Sequence, residues 1–153
     1  MPSRRKSIAM TDAEIEAFLR EQRVMSVATI GADGRPHVVA MWYAWEDGDP
    51  AFWTYGKSQK IVNLRRDPRL TAMVEAGEKY EELRGVEIVA DAELIEEPDR
   101  VLDFGVQLTE RYQGPVGEGT LPLLRRSAAK RVVVRLRPVK RVSWDHRKLG
   151  GAY

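Results

Sequence analysis

The sequence has no cysteine, only two histidines, His37 and His146, and no apolar run approaching the roughly 20 residues that a membrane-spanning helix needs. The missing thiols exclude a disulfide framework, a thiolate metal site and a cysteine nucleophile, and they fit a reducing cytosol. Two histidines leave little for metal ligation or acid–base relays, and no Ser/His/Asp, paired-carboxylate or metal-ligand constellation stands out. Neither GxxxxGK[ST] nor GxGxxG occurs, so no Walker loop and no dinucleotide fingerprint is present. The basic start MPSRRKS is not followed by the apolar stretch of a secretory signal, because Thr11, Asp12 and Glu14 intervene. The protein is therefore expected to be cytoplasmic. Its 153 residues are expected to form one domain, 1–153, with residues 1–10 loosely held.

What the chain does have is an uneven charge distribution beneath a net +2. Residues 75–110 carry twelve acidic and three basic side chains, and residues 111–153 carry two acidic and eleven basic ones. A basic tail for nucleic acid or anionic lipid is one reading. Acidic and basic strands lying side by side in one sheet is the other. The alternation of Val132, Val134 and Leu136 with Val133, Arg135 and Arg137 favours the second, because that is the pattern of a half-buried strand.

Thr11 and Glu14 form a capping box ahead of a helix with Ile15, Phe18 and Leu19 on one face. Strands are expected at residues 24–30, 37–45 and 51–55, joined by the turns GADGR and EDGDP into an antiparallel meander. Ser58 is the expected N-cap of a short helix that Asp67-Pro68 stops. Strands at 70–75 and 86–94 follow, then a helix from Pro98 to about Tyr112, a Gly/Pro loop, the segment LLRRSAA and a last strand. The fold class is α+β, mainly β: a six-stranded antiparallel barrel with two to four helices.

Chemistry concentrates in TYGKSQKIVNLRRDP, residues 54–68. A strand passes through Gly56 to a helix N-terminus, whose NH groups and dipole favour an anion. Lys57, Ser58 and Lys60 flank that point, and Asn63 and Arg66 follow on nearly the same side. An ordinary capped surface helix with solvated lysines would have the same spacing.

The stretches VMSVATIGADGRPHVVAMWYAWEDG and FWTYGKSQKIVNLRRDPRLTAMVEAG resemble the split β-barrel superfamily of pyridoxamine 5'-phosphate oxidase-like, FMN-binding proteins. Together with the closing VSWDHRKLGGAY, the run SQK..NLRRDPR is similar to the flavin/deazaflavin oxidoreductases that use coenzyme F420. The resemblance spans about residues 11–148. It implies that Ser58 and Lys60 hold the cofactor phosphate with Lys57 and Gln59 beside them. It also implies that Thr54 and Tyr55 touch the ring or ribityl chain, that Val39 and Met41 lie along the ring, and that Asn63 and Arg66 line the route of a poly-glutamate tail. In such proteins the site lies at a homodimer interface, so Tyr80 and Trp144 are expected from the partner subunit.

An F420-dependent oxidoreductase that transfers a hydride to a conjugated organic substrate follows from the resemblance, with no nucleic-acid, membrane or metal partner. Its alternatives are an FMN-dependent oxidoreductase and a non-catalytic flavin or deazaflavin carrier or sensor. Tyr43 and Tyr55 are the proton donors that chemistry alone would nominate, with solvent an equal alternative. The many large aromatics, Trp42, Trp45, Trp53 and Trp144 with Tyr43 and Tyr55, suit either a dimer face or a filled core.

Overall fold

The computed structural model describes residues 3–151. Short helix α1 (Arg4–Ser7) precedes α2 (Asp12–Glu21), which Thr11 opens by accepting from the Glu14 amide. The Glu14 carboxylate also pairs with Lys148 at 2.7 Å. Of residues 1–10, expected to be loose, residues 1 and 2 lie outside the described residues. Ile8 and Met10 are hydrogen-bonded to the last strand, the Ile8 carbonyl accepting from the Asp145 amide and the Met10 amide donating to the Ser143 hydroxyl oxygen.

Seven strands follow: β1 (Met25–Ile30), β2 (Pro36–Met41), β3 (Ala44–Glu46), β4 (Asp49–Tyr55), β5 (Arg69–Ala76), β6 (Arg84–Ile95) and β7 (Arg131–Asp145). Helix α3 (Gln59–Arg66) lies between β4 and β5, and α4 (Pro98–Tyr112) and α5 (Leu121–Ala128) lie between β6 and β7. All neighbours pair antiparallel in the order β2-β1-β5-β6-β7-β4-β3. Inward residues of the long strands, among them Val27, Phe52, Val74, Val86, Ile88, Val134 and Leu136, form one core with Ile15, Phe18 and Leu19 of α2. A second core, with Val101, Phe104 and Leu108 of α4, lies against Ala51 and Val133. Among the described residues this is a seven-stranded split barrel with five α-helices.

The sequence predicts one strand over 37–45; the structure has two, and the reason defines the fold. β2 and β3 are separated only by Trp42 and Tyr43, yet they are the two edges of the sheet. Two residues can join opposite edges only if the sheet curls until the edges meet, so the barrel closes at this point. The Tyr112 hydroxyl seals the seam. It accepts from the Tyr43 amide at 3.1 Å and lies 3.0 Å from the Tyr43 carbonyl and 2.9 Å from that of Arg23, while Trp42 stacks on its ring at 4.4 Å. A side chain thus supplies bonds that a neighbouring strand would otherwise make.

Part of the charge asymmetry meets across the β6–β7 pair. Glu93 and Asp91 sit opposite Arg135 and Arg137, and Arg135 also meets Asp49 at 2.9 Å and Asp47 at 3.3 Å.

Candidate functional site

Four of the expected site residues meet at the seam and its mouth. β4 delivers Thr54, which is buried, and Tyr55, which is exposed, to the turn before α3. The Thr54 hydroxyl donates to the Ser58 hydroxyl at 3.3 Å. Ser58 occupies the N-cap position of α3, as expected, but its side chain makes no cap bond to the helix. The first NH groups of α3 are therefore not covered by their own cap, and the helix end stays available to an anion.

Lys60 is half-buried, and burial pushes its ammonium below the ordinary lysine pKa. A partly desolvated cation with no carboxylate within ion-pair distance, among the described residues, is well suited to a phosphate. Lys57 and Gln59 are exposed. At the far end of α3, the Asp67 carboxyl is held down to about 2 by hydrogen bonds from Arg69, which fixes the turn into β5.

Beside this turn is a cavity of about 360 Å³ lined by Ala40, Met41, Trp42, Trp53, Thr54, Tyr55, Leu108 and Arg131. It sits where β2 ends and β4 begins its exit, that is, on the seam. Met41 lines it; Val39, on the same inward face of β2, does not. Leu108 and Arg131 are wall residues that sequence reasoning missed, because they come from α4 and β7, distant in the chain. Arg131 was legible in part, as a basic residue at the start of a strand, but not as the neighbour of Tyr55 to which strand pairing brings it.

Other expected residues lie elsewhere. Asn63 is fully enclosed: its Nδ2 donates to Thr29 Oγ1 at 3.0 Å and its Oδ1 accepts from Gln59 Nε2 at 2.8 Å. It fastens α3 to β1 and meets no solvent, which removes it from the route of any tail. Arg66 remains exposed, with Nη2 on the Ile30 carbonyl at 2.6 Å. Trp144 packs flat on Gly85, where an added Cβ would come within 2.1 Å of the ring. The Tyr80 ring packs tilted against His146 at 4.6 Å, and its carbonyl faces the His146 ring nitrogen at 2.7 Å. Trp144 and the Tyr55 neighbour Arg131 stand at opposite ends of β7, so one chain does not bring Tyr80 and Trp144 to the α3 turn.

Tyr43 is no proton donor to this cavity. It is fully buried, its hydroxyl donates to the Leu19 carbonyl at 2.6 Å, and burial pushes its pKa up to about 12. Among the described residues no group of three His, Cys, Asp or Glu could hold a metal, and no helix is long and apolar enough to cross a membrane.

A conserved hypothetical protein from Mycobacterium tuberculosis has a solved structure 46% identical to this chain, covering 97% of it and 93% of its own length, with a TM-score of 0.92. A solved F420 reductase is 29% identical over 82% of this chain and 94% of its own, with a TM-score of 0.65. An FAD-binding protein from Mesorhizobium loti is 18% identical over 88% of this chain and 94% of its own, with a TM-score of 0.63, a likeness of fold. No curated protein matches the sequence. The family model described as pyridoxamine 5'-phosphate oxidase matches residues 11–145. With that match over most of its length and the split barrel built around the seam, the chain belongs to the pyridoxamine 5'-phosphate oxidase family.

Proposed function

We propose that this protein is an oxidoreductase that binds coenzyme F420 and transfers a hydride between it and a conjugated organic substrate. The observation that carries the reading is the continuity of two features. An anion-ready helix end with Ser58 and Lys60 is joined through the Thr54–Ser58 hydrogen bond to an aromatic-lined cavity. A phosphate held at the first places an attached planar ring at the second. The F420 reductase among the similar structures favours a deazaflavin over a flavin.

When bound, the cofactor would supply the hydride chemistry, so the protein's task is to hold, orient and keep dry. Lys57, Ser58 and Lys60 hold the phosphate. Met41, Thr54 and Tyr55 flank the ring, and Arg66 lies beside the far end of α3. No acid–base pair is demanded by hydride transfer; a proton, if one is delivered, comes from Tyr55 or from water.

The working form is a homodimer. The outer face of β2-β1-β5-β6 carries a row of small or apolar residues in register, Val38, Ala28, Thr71 and Val89. Val38 is 60% exposed and nearby Val139 67%. A hollow of about 470 Å³ lined by Ala28, Thr71, Val89 and Val139 interrupts that face. An apolar face of this extent fits a second copy. The second copy would then be the source of Tyr80 and Trp144 at the site.

The test is spectroscopic. Purified protein mixed with F420 or with FMN is expected to perturb the F420 spectrum at micromolar concentration and to oxidise reduced F420 when a conjugated acceptor is added. A yellow protein that binds FMN alone would establish the flavin version. Binding without turnover across an acceptor panel would establish a carrier.

A further inference from the structure

We propose that Arg131 forms an anion subsite in the seam cavity, selecting planar ligands that carry a carboxylate or a comparably delocalised anionic oxygen. The inference rests on the reading that the cofactor's ring lies at this cavity with the substrate stacked against it, and it names the class of that substrate.

Arg131 opens β7 opposite Tyr55. Its guanidinium lies 4.8 Å from the Trp53 ring centre and 4.3 Å from that of Tyr55, so two aromatic rings hold it in place. One nitrogen, Nη1, donates to the carbonyl and hydroxyl of Ser127 at the end of α5. Among the described residues, Nε and Nη2 have no protein acceptor, and no carboxylate reaches the group. Arg135, four residues on in the same strand, makes the contrast: it is surrounded by Asp47, Asp49 and Glu93. The fold thus supplies counter-charges for one arginine of β7 and withholds them from the one in the cavity wall.

A guanidinium presented this way is pre-organised, and its unused N–H groups form a planar fork that matches a carboxylate. Met41, Trp42 and Leu108 give the remaining wall an apolar lining suited to a flat carbon skeleton. Lys57 and Lys60 lie at the adjoining turn, and Lys130 adjoins it through the Gly56 amide bond to the Lys130 carbonyl. None of these lysines has a carboxylate partner among the described residues, so the local field has the same sign. The subsite is a cation in an aromatic slot, distinct in position from the helix end that holds phosphate.

The test titrates cofactor-free protein with naphthoate, a planar carboxylate, and with naphthamide, its neutral counterpart, following tryptophan fluorescence and heat. Wild type is expected to bind naphthoate saturably and about tenfold more tightly than naphthamide. Arg131→Met is expected to erase that preference. Arg131→Lys, which keeps the charge but not the fork and guards against a folding effect of the methionine, is expected to retain part of it. Lys148→Ala, at a lysine paired with Glu14 away from this cavity, should leave the preference unchanged. Equal binding of the two probes by wild type, absence of binding by either, or a preference that survives in Arg131→Met would overturn the proposal. F420 binding measured on the same proteins separates the two ideas. If wild type fails to bind F420 but keeps an Arg131-dependent preference for naphthoate, the cofactor reading falls and the anion subsite stands.

Discussion

The Tyr43 hydroxyl illustrates how burial assigns a residue to structure rather than to chemistry. Its proton is committed to the Leu19 carbonyl, and the Gln22 carbonyl lies 3.1 Å away. Arg111 also donates to both carbonyls, at 3.2 and 2.6 Å, so removing the hydroxyl leaves neither acceptor unpaired. Tyr43→Phe should therefore cost only about 1 kcal/mol of stability at neutral pH. The pH dependence is more diagnostic. Tyr43 ionises near 10.0 when unfolded and at about 12 when folded, so the folded state keeps its proton longer. Stability from this group is full below pH 10 and is lost as pH rises through about 12. Urea melts across that range should show a steeper loss for wild type than for Tyr43→Phe; parallel curves would contradict the assignment. At this scale the place of Lys57, Ser58 and Lys60 at the start of α3 was legible from sequence, because the strand–glycine–helix order is local. The enclosure of Asn63 was not, since its partner Thr29 lies 34 positions away.

Among the elements, α4 fits its place in a way its composition hides. Gly105 sits in its middle, where helix propensity alone would favour alanine by about 1 kcal/mol. A Cβ there would come within 2.6 Å of the Trp53 ring, which leans on the helix from β4 and forms one wall of the cavity. Gly105→Ala should accordingly lower stability by about 1–3 kcal/mol, as overpacking does, and shift tryptophan emission. A variant more stable than wild type, with unchanged emission, would mean that the Trp53 contact yields easily. Most strands and helices were readable from periodicity and turn residues. The break between β2 and β3 was not, because 37–45 is apolar almost throughout. What interrupts it is Tyr112 on a helix 69 residues away.

For the whole molecule, only part of the opposing charge of residues 75–110 and 111–153 meets across the sheet, Asp91 and Glu93 facing Arg137 and Arg135, while Arg141 and Lys148 pair with Asp12, Glu16 and Glu14 near the N-terminus. The apolar outer face tells more about assembly than the tryptophans do. Trp53 and Trp144 pack within the chain, and the most exposed of the large hydrophobics on that face are valines. Val38→Glu places a charge on that face without disturbing the core. It should convert the dimer to a monomer in sedimentation velocity and weaken cofactor binding about tenfold, since a charge buried without a partner opposes association. A dimer that persists would place the interface elsewhere.

The most direct test of the central claim compares F420 affinity in wild type, Lys60→Ala and Lys148→Ala. Lys148 is a suitable control because it is engaged with Glu14 and the Ala9 carbonyl, far from the α3 turn in the chain. The account predicts micromolar or tighter binding by wild type, at least about a tenfold loss in Lys60→Ala and little change in Lys148→Ala. Equal losses in the two variants, or no binding of F420 or FMN by wild type at micromolar concentration, would contradict it.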